Sequence, residues 1–431
     1  MAASRRSSLR TALGSLTLRG RAFVSAGVTA VLCGLVFSLD DLSRMGVFLL
    51  SLPLLAAALV IRGRHKLALV RSVSPLRIGV GQSAEVSLHL RNEGRGPTGL
   101  LLLEEQVPYS VGTRPRFVLD RMPPTWERTV SYRIRSDVRG RFTLGPVTVR
   151  AADPFGLVEL DRAFRSTATV TVTPKVVALP PISLNGSWTG SGDNRPRDFA
   201  GGSAEDVTVR EYRRGDDLRR VHWRASAHAG ELMVRREEQP WQSRATVFID
   251  NRAHVHRGSG AASSLEYAVS AAASIAAHLV QRGFRTRLLS ASGTSLGEGW
   301  HEAGATATDT GPLLEALAVL APETAQRLDA LGPDETHARG LVVGIFGDLA
   351  ATDQAVVNRL RHETPNAIAL VLDVDRWSRT PGPRHEEPPG LRSLTASGWR
   401  AVAAGPQDPL PSKWREVGVA VRRSTAGERV S

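Results

Sequence analysis

Apolar positions divide the chain into three stretches with different periods. Near the start, two uncharged apolar runs stand out: Ala22 to Leu39 (AFVSAGVTAVLCGLVFSL), of 18 residues, and Met45 to Ile61 (MGVFLLSLPLLAAALVI), of 17. Each approaches the roughly 20 apolar residues that cross a hydrocarbon core as a helix. Only Asp40-Asp41-Leu42-Ser43-Arg44 separates them, so they predict an antiparallel transmembrane hairpin over 22–61. Pro53 lies inside the second helix, where a close neighbouring helix makes it tolerable. Arg5, Arg6, Arg10, Arg19 and Arg21 precede the first run, and Arg62, Arg64, His65 and Lys66 follow the second. The positive-inside rule therefore places both termini and the bulk of the chain in the cytoplasm, at the inner or plasma membrane. A cleaved signal fits less well, because the first run is long for a signal core and no Ala-x-Ala site precedes an exported domain.

Residues 67–178 read as short strands separated by turns. Ala84–Leu90, Val130–Ile134, Arg141–Leu144 and Thr167–Val172 carry strand patterning, and Asn92-Glu93-Gly94, Arg139-Gly140 and Asp153-Pro154-Phe155-Gly156 carry turn chemistry. Strands at this spacing predict an antiparallel, immunoglobulin-like β-sandwich. The apolar run Gly99–Leu103 is too short to span a membrane. Residues 179–206, rich in Gly, Pro, Ser and Asp, read as a linker or exposed loop.

From about 244 to 421 the pattern alternates. Apolar strands Ala245–Asp250, Thr286–Ser290, Leu341–Phe346 and Ala367–Leu372 are interleaved with helical segments Ser263–Gln281, Gly311–Leu320 and Asp353–His362. This predicts βαβ units and a doubly wound, mostly parallel sheet. Asp250 and Asp348 then fall at the carboxyl ends of strands, where open α/β sheets bind ligands. Residues 422–431 read as a disordered tail, and 1–21 as a basic cytoplasmic segment.

Composition adds charge to this picture. Lys plus Arg number 55 against 42 Asp plus Glu, a net +13. Such an excess suits an acidic partner, and the segment next to the membrane makes anionic lipid a natural one. Nucleic acid is not expected, because Arg213-Arg214 and Arg219-Arg220 alternate with acids and form no continuous basic stripe. The only cysteine, Cys33, lies in the first apolar run, which excludes an internal disulfide and any cysteine-based metal site.

The densest chemistry lies between the two predicted domains, in 207–243. The stretch Val209 to Leu232 interleaves charges of both signs with aromatics. Gly215-Asp216-Asp217 can turn the chain, and either aspartate can cap a short helix running through Trp223. Leu218, Val221 and Trp223 are then expected to pack inward. His222 and His228 are six apart, which is poor spacing for one helical face.

This segment resembles the signature of the bacterial domain of unknown function 58 family. The matching positions are Arg210, Tyr212, Gly215, Asp216, Asp217, Arg219, Trp223, Ser226 and Ala227. Upstream, Arg139 to Pro146 and Asp153 to Leu157 are similar to the family's sandwich-domain motifs, and the N-terminal hairpin is also typical. Two departures are His228, where arginine is usual, and Ala204-Glu205, where the acidic position is offset. The resemblance implies a von Willebrand factor A-like α/β domain. It also implies an assembly or interaction role beside a MoxR-type AAA+ ATPase and membrane transglutaminase-like proteins.

The metal motif of a von Willebrand A domain is Asp-x-Ser-x-Ser, completed by a Thr and an Asp from later loops, a donor set suited to a hard divalent cation. Here the corresponding residues are Asp250-Asn251-Arg252-Ala253-His254, with Thr310 and Asp348 as the remaining, lesser candidates. Arg252 puts a cation where the metal needs oxygen, so no metal or other cofactor is expected. The chain carries no P-loop, no Gly-x-Ser-x-Gly and no His-Glu-x-x-His. The expectation is a non-enzymatic, membrane-anchored interaction factor. The rival reading is a divalent-metal enzyme or ligand receptor built on Asp216, Asp217 and Asp250.

Overall fold

The structure is a computed structural model that describes residues 16–62, 67–94, 100–120, 123–153, 155–182, 208–212, 221, 223–236, 244–301, 309–328, 340–362, 364, 366–378 and 387–427. These form two compact bodies, Met1–Lys175 with Leu314–Leu320, and Val176–Leu313 with Ala321–Ser431.

The first body opens with two helices, α1 (Leu18–Val36) and α2 (Asp40–Arg62). Both are long and apolar enough to cross a membrane. They pair tightly because small residues line the seam: a Cβ on Gly27 would lie 3.0 Å from Gly46 O, and one on Gly34 2.7 Å from Ser43 N. Large apolar side chains such as Leu32, Leu35, Phe48 and Leu54 point outward instead. The helices are set differently from the sequence expectation of 22–39 and 45–61. The connection shrinks to Phe37-Ser38-Leu39, and Asp40 and Asp41 join the first turn of α2, where carboxylates complement the helix dipole. The start of α1 moves back because Thr17 caps it, its Oγ1 accepting from Gly20 N at 3.1 Å.

The sandwich follows as β1 (Leu67–Ser74), β2 (Arg77–Gly79), β3 (Ser83–Asn92), β4 (Leu101–Glu105), β5 (Arg116–Leu119), β6 (Glu127–Arg135), β7 (Gly140–Leu144), β8 (Val147–Ala152), β9 (Glu159–Phe164) and β10 (Ala168–Thr173). The sheets run β1-β3-β6, β2-β10-β7 and β5-β4-β8-β9. In β3, Ala84, Val86, Leu88 and Leu90 are buried and the residues between them are more exposed, the period-2 alternation of a strand with one face in the core. The sandwich is not wholly antiparallel as expected, because β10 pairs β2 in parallel. These strands are far apart in sequence, so no hairpin dictates their direction. Arg139, at the start of a motif noted above, is buried and donates to Leu317 O at 3.0 Å and Leu320 O at 2.5 Å, carbonyls of this same body.

The second body begins at Val176, slightly before the expected boundary. Within it, β11 (Thr208–Glu211) pairs β12 (Met233–Arg236) around α3 (Trp223–Ala229). The α/β part comprises β13 (Arg244–Ile249), α4 (Ser264–Gln281), β14 (Arg285–Leu289), β15 (Ser295–His301), the start of α5 (Gly311–Ala318, whose residues from Leu314 belong to the first body), β16 (Leu341–Phe346), α6 (Gln354–His362), β17 (Asn366–Leu372), α7 (Pro389–Ala396), β18 (Arg400–Ala404) and α8 (Leu410–Gly427). Its six strands run β15-β14-β13-β16-β17-β18, all parallel except the edge strand β15. This is the doubly wound order, with the switch point between β13 and β16. Every residue of β16 and β17 is buried, as strands covered on both faces must be. Residues 422–427, expected to be disordered, continue helix α8. Most of the expected linker, 183–206, lies outside the described residues, but Val177 N donates to Ser274 Oγ at 2.9 Å, tying the start of this body to α4.

Candidate functional site

The switch point selects the loop after β13. Asp250 N donates to Ile345 O at 2.9 Å, locking the strand end against β16. Gly347 lies on the opposite lip, and a Cβ there would sit 2.5 Å from Val255 O. The chain therefore passes too closely for a side chain.

Inside this crevice, Asp250, Asn251 and Arg252 have no exposed surface and Asp353 is 1 % exposed. The Arg252 guanidinium bridges both carboxylates. Nε and Nη2 meet Asp250 Oδ1 and Oδ2, each at 2.8 Å, and Nη1 and Nη2 meet Asp353 Oδ1 and Oδ2 at 2.9 and 3.0 Å. The remaining Nη1 hydrogen reaches Gln326 O at 3.4 Å. All five guanidinium donors are thus used. Burial alone pulls the Arg252 pKa down, but hydrogen bonding and charge from Asp250 and Asp353 outweigh it and raise the value above the ordinary arginine range. One cation against two carboxylates leaves excess negative charge, and backbone amides offset it: Arg252 N reaches Asp250 Oδ1 at 3.3 Å, and Ala350 N reaches Asp353 Oδ2 at 3.1 Å.

The shell around this triad is equally occupied. Asn251 Nδ2 donates to Ala321 O at 2.8 Å, and its Oδ1 accepts from Ala291 N at 3.0 Å. His256 Nε2 lies 2.6 Å from Asp250 O. A carbonyl can only accept, so the proton sits on Nε2, and Nδ1 is left to face Ser264 Oγ at 3.0 Å. Burial depresses the His256 pKa, which favours this neutral form.

A divalent cation does not fit here. The hydroxyl positions of an Asp-x-Ser-x-Ser pattern are held by Arg252 and by His254, which is exposed. Asp348 is exposed and contributes its amide to Val255 O at 3.1 Å. Thr310 sits just ahead of α5, whose first amide, Gly311 N, is capped by Asp309 Oδ1 at 2.8 Å. Among the described residues no group of three or more His, Cys, Asp or Glu side chains could hold a metal. Asp250 is instead half of a carboxylate pair joined by Arg252. Its partner, Asp353, was legible in sequence only as a helix start, because the separation of 101 positions between Arg252 and Asp353 hides the contact.

The signature residues divide. Arg210 lies in β11 opposite Val234. Tyr212 N donates to Leu232 O at 2.7 Å. Ser226 Oγ accepts from Met233 N at 2.8 Å, which pins α3 to β12. Gly215, Asp216, Asp217, Arg219, Leu218 and His222 lie outside the described residues. Val221 is buried as expected, but Trp223 is not: it is 72 % exposed, because α3 begins at Trp223 instead of running through it. Arg224, Ala227 and His228 are also exposed, so α3 presents an aromatic and two basic or titratable side chains outward.

No curated protein matches the chain. Among solved structures, the CARDB domain of a Pyrococcus furiosus protein is similar over 25 % of this chain and 93 % of its own, at 21 % identity and a TM-score of 0.20. The human complex of zinc 2-glycoprotein and prolactin inducible protein is similar over 26 % and 97 %, at 8 % identity and a TM-score of 0.21. A Listeria innocua β-glucosidase is similar over 25 % and 16 %, at 15 % identity and a TM-score of 0.18. Likenesses of this size carry no argument about this chain. Residues 208–373, which hold both the α3 segment and the Asp250–Arg252–Asp353 triad, match the family described as "Protein of unknown function DUF58".

Proposed function

We propose that the chain is a membrane-tethered interaction or assembly factor without catalytic activity. In this reading the hairpin holds an immunoglobulin-like sandwich and a von Willebrand A-like body on the cytoplasmic face, and the partner is a protein, an AAA+ ATPase of the MoxR type. One observation carries the reading. At the sheet's switch point, where doubly wound folds place ligand chemistry, a guanidinium with every donor satisfied fills the space between two carboxylates. A crevice closed in this way offers no open coordination position and no free general base, so activity must lie on the surface. The basic side chains that flank both apolar helices support the cytoplasmic orientation.

The surface most suited to a partner is α3. Trp223 is the kind of large, exposed aromatic that anchors protein interfaces. Truncating such an anchor costs about 2 kcal/mol, or roughly thirty-fold in affinity. The test is binding of a purified MoxR-type ATPase to the full chain in detergent, with Trp223→Ala compared with wild type. The expected result is that loss of affinity with an unchanged unfolding temperature, and with no change in that temperature on adding millimolar Mg²⁺ or Ca²⁺. Equal affinity in the variant removes α3 as the docking surface. A cation-dependent rise in unfolding temperature revives the metal reading.

A further inference from the structure

The turn between β8 and β9 touches the hairpin in an unusual way. Leu157 and Val158 are buried in a small cluster with Ala56, and Leu16, Phe23, Leu52 and Ala57 pack around it. Thr17 N donates to Leu157 O at 3.0 Å, and Thr17 Oγ1 donates to Gly156 O at 2.7 Å. A Cβ on Gly20 would fall 2.2 Å from Leu157 O, so the helix approaches the turn as closely as backbone allows.

This contact fixes the depth of the turn. Phe23 lies two residues past Arg21, the last charge before the apolar run of α1. Ala56 and Leu52 lie six and ten residues before Arg62, the charge that ends α2. At about 1.5 Å per residue, the turn meets α2 roughly 9 to 15 Å inside that charged end. Leu157 and Val158 therefore lie level with Arg19 and Arg21 of α1, at the boundary itself, and on the apolar side of Arg62 of α2.

Beside them Phe155 is 61 % exposed. Much of the turn's described backbone is paired within the protein. Asp153, 5 % exposed, accepts from Phe155 N at 2.9 Å and Val158 N at 2.6 Å. Asp153 N reaches Val158 O, and Gly156 N reaches Asp153 O, both at 3.1 Å. Thr17 takes the Gly156 and Leu157 carbonyls. Internal satisfaction of this kind is what lets irregular backbone approach hydrocarbon.

We propose that the Phe155–Val158 part of this turn is a third membrane-contacting element, with Phe155 seated in the bilayer at the boundary between headgroups and acyl chains. The proposal rests on the reading of α1 and α2 as a membrane hairpin. Its occupant is lipid, because exposed Phe155 stands two residues before Leu157, which is buried against both apolar helices. Exposed Arg19 and Arg21, in the first turn of α1, flank the turn with positive charge that favours anionic headgroups. A phenyl ring, having no polar group, favours the acyl side of this boundary because it leaves water there.

The test uses the full chain in nanodiscs of phosphatidylethanolamine and phosphatidylglycerol, in a Cys33→Ser background, with an environment-sensitive fluorophore on Phe155→Cys, Tyr109→Cys or Leu32→Cys. Tyr109 is 82 % exposed on the sandwich and Leu32 56 % exposed on α1. The expected result is blue-shifted emission from the residue-155 label, quenched most by a spin label high on the acyl chain. The residue-109 label then emits as in water, and the residue-32 label is quenched most by a deep spin label. A residue-155 label that behaves like the residue-109 label, with residue 32 still deep, overturns the proposal and leaves the hairpin standing. Water-like emission from residue 32 overturns both.

Discussion

Two aspartate-led turns in this chain are built alike and end oppositely. Asp250 follows β13 and Asp153 follows β8; each carboxylate accepts the amide two residues on, from Arg252 at 3.3 Å and from Phe155 at 2.9 Å. The residue at that second position then defies its type. The charged Arg252 has no exposed surface, while the aromatic Phe155 is 61 % exposed. The difference teaches that burial follows available partners and the local solvent more than residue class. Arg252 is buried because two carboxylates and a carbonyl take all its donors. Phe155 is exposed beside two helices long and apolar enough to cross a membrane, and under the proposal above its surroundings are lipid.

The largest predicted effect breaks the first turn. Arg252→Met leaves two carboxylates buried without their cation, and removing one partner of a buried ion pair costs about 3–5 kcal/mol. Thermal unfolding of the full chain in detergent should show a large drop in midpoint. Adding Asp250→Asn and Asp353→Asn to Arg252→Met should recover much of it. A midpoint that Arg252→Met alone leaves in place would mean the crevice is open to water and not sealed.

Breaking the second turn is expected to cost less. Asp153→Ala removes two hydrogen bonds to amides, worth about 2 kcal/mol together. Because the turn seats Thr17 and Gly20, proteolysis near the start of α1 should also speed up. Unchanged cleavage would show that Thr17 alone holds the joint.

The smallest effect sharpens the comparison through pH. Burial lowers the His256 pKa in the folded chain relative to its unfolded value near 6.5. The unfolded state then binds the proton more readily, so stability is intact above about 6.5 and falls as pH drops toward the folded pKa. His256→Gln, which keeps a donor for Asp250 O, should flatten the slope of stability between pH 7 and 5. The Asp153 turn has no histidine and should show no such dependence when followed by cleavage near α1. An identical slope in wild type and His256→Gln assigns the pH response to another group.

Much of the architecture was legible because it rests on local periodicity. The alternation in Ala84–Leu90 and the buried strands Leu341–Phe346 and Ala367–Leu372 appear where their patterns lie, and the two apolar runs before Arg62 appear as helices with shifted bounds. Elements with weak patterns were missed. Strand β15 carries Gly297 and Gly299 and sits at an antiparallel edge, and β18 is a short run rich in Ala. Trp223 was expected inside because aromatics usually bury, but whether a short helix starts before it or at it is beyond what propensity resolves. Asp353 could not be paired with Arg252 from sequence, since nothing local links them.

The amino-acid sequence by itself determined the two long apolar runs, the strand-rich and alternating halves, and the Arg252 and His254 that follow Asp250. These follow from side-chain chemistry and short-range period, which neighbouring residues dictate. Only the tertiary structure decided that Asp353 shares Arg252 with Asp250, that Trp223 and Phe155 face outward, and that the Asp153 turn meets α1 and α2. Each of those depends on which distant backbone segments close on one another, and that is set by the packing of whole sheets and helices.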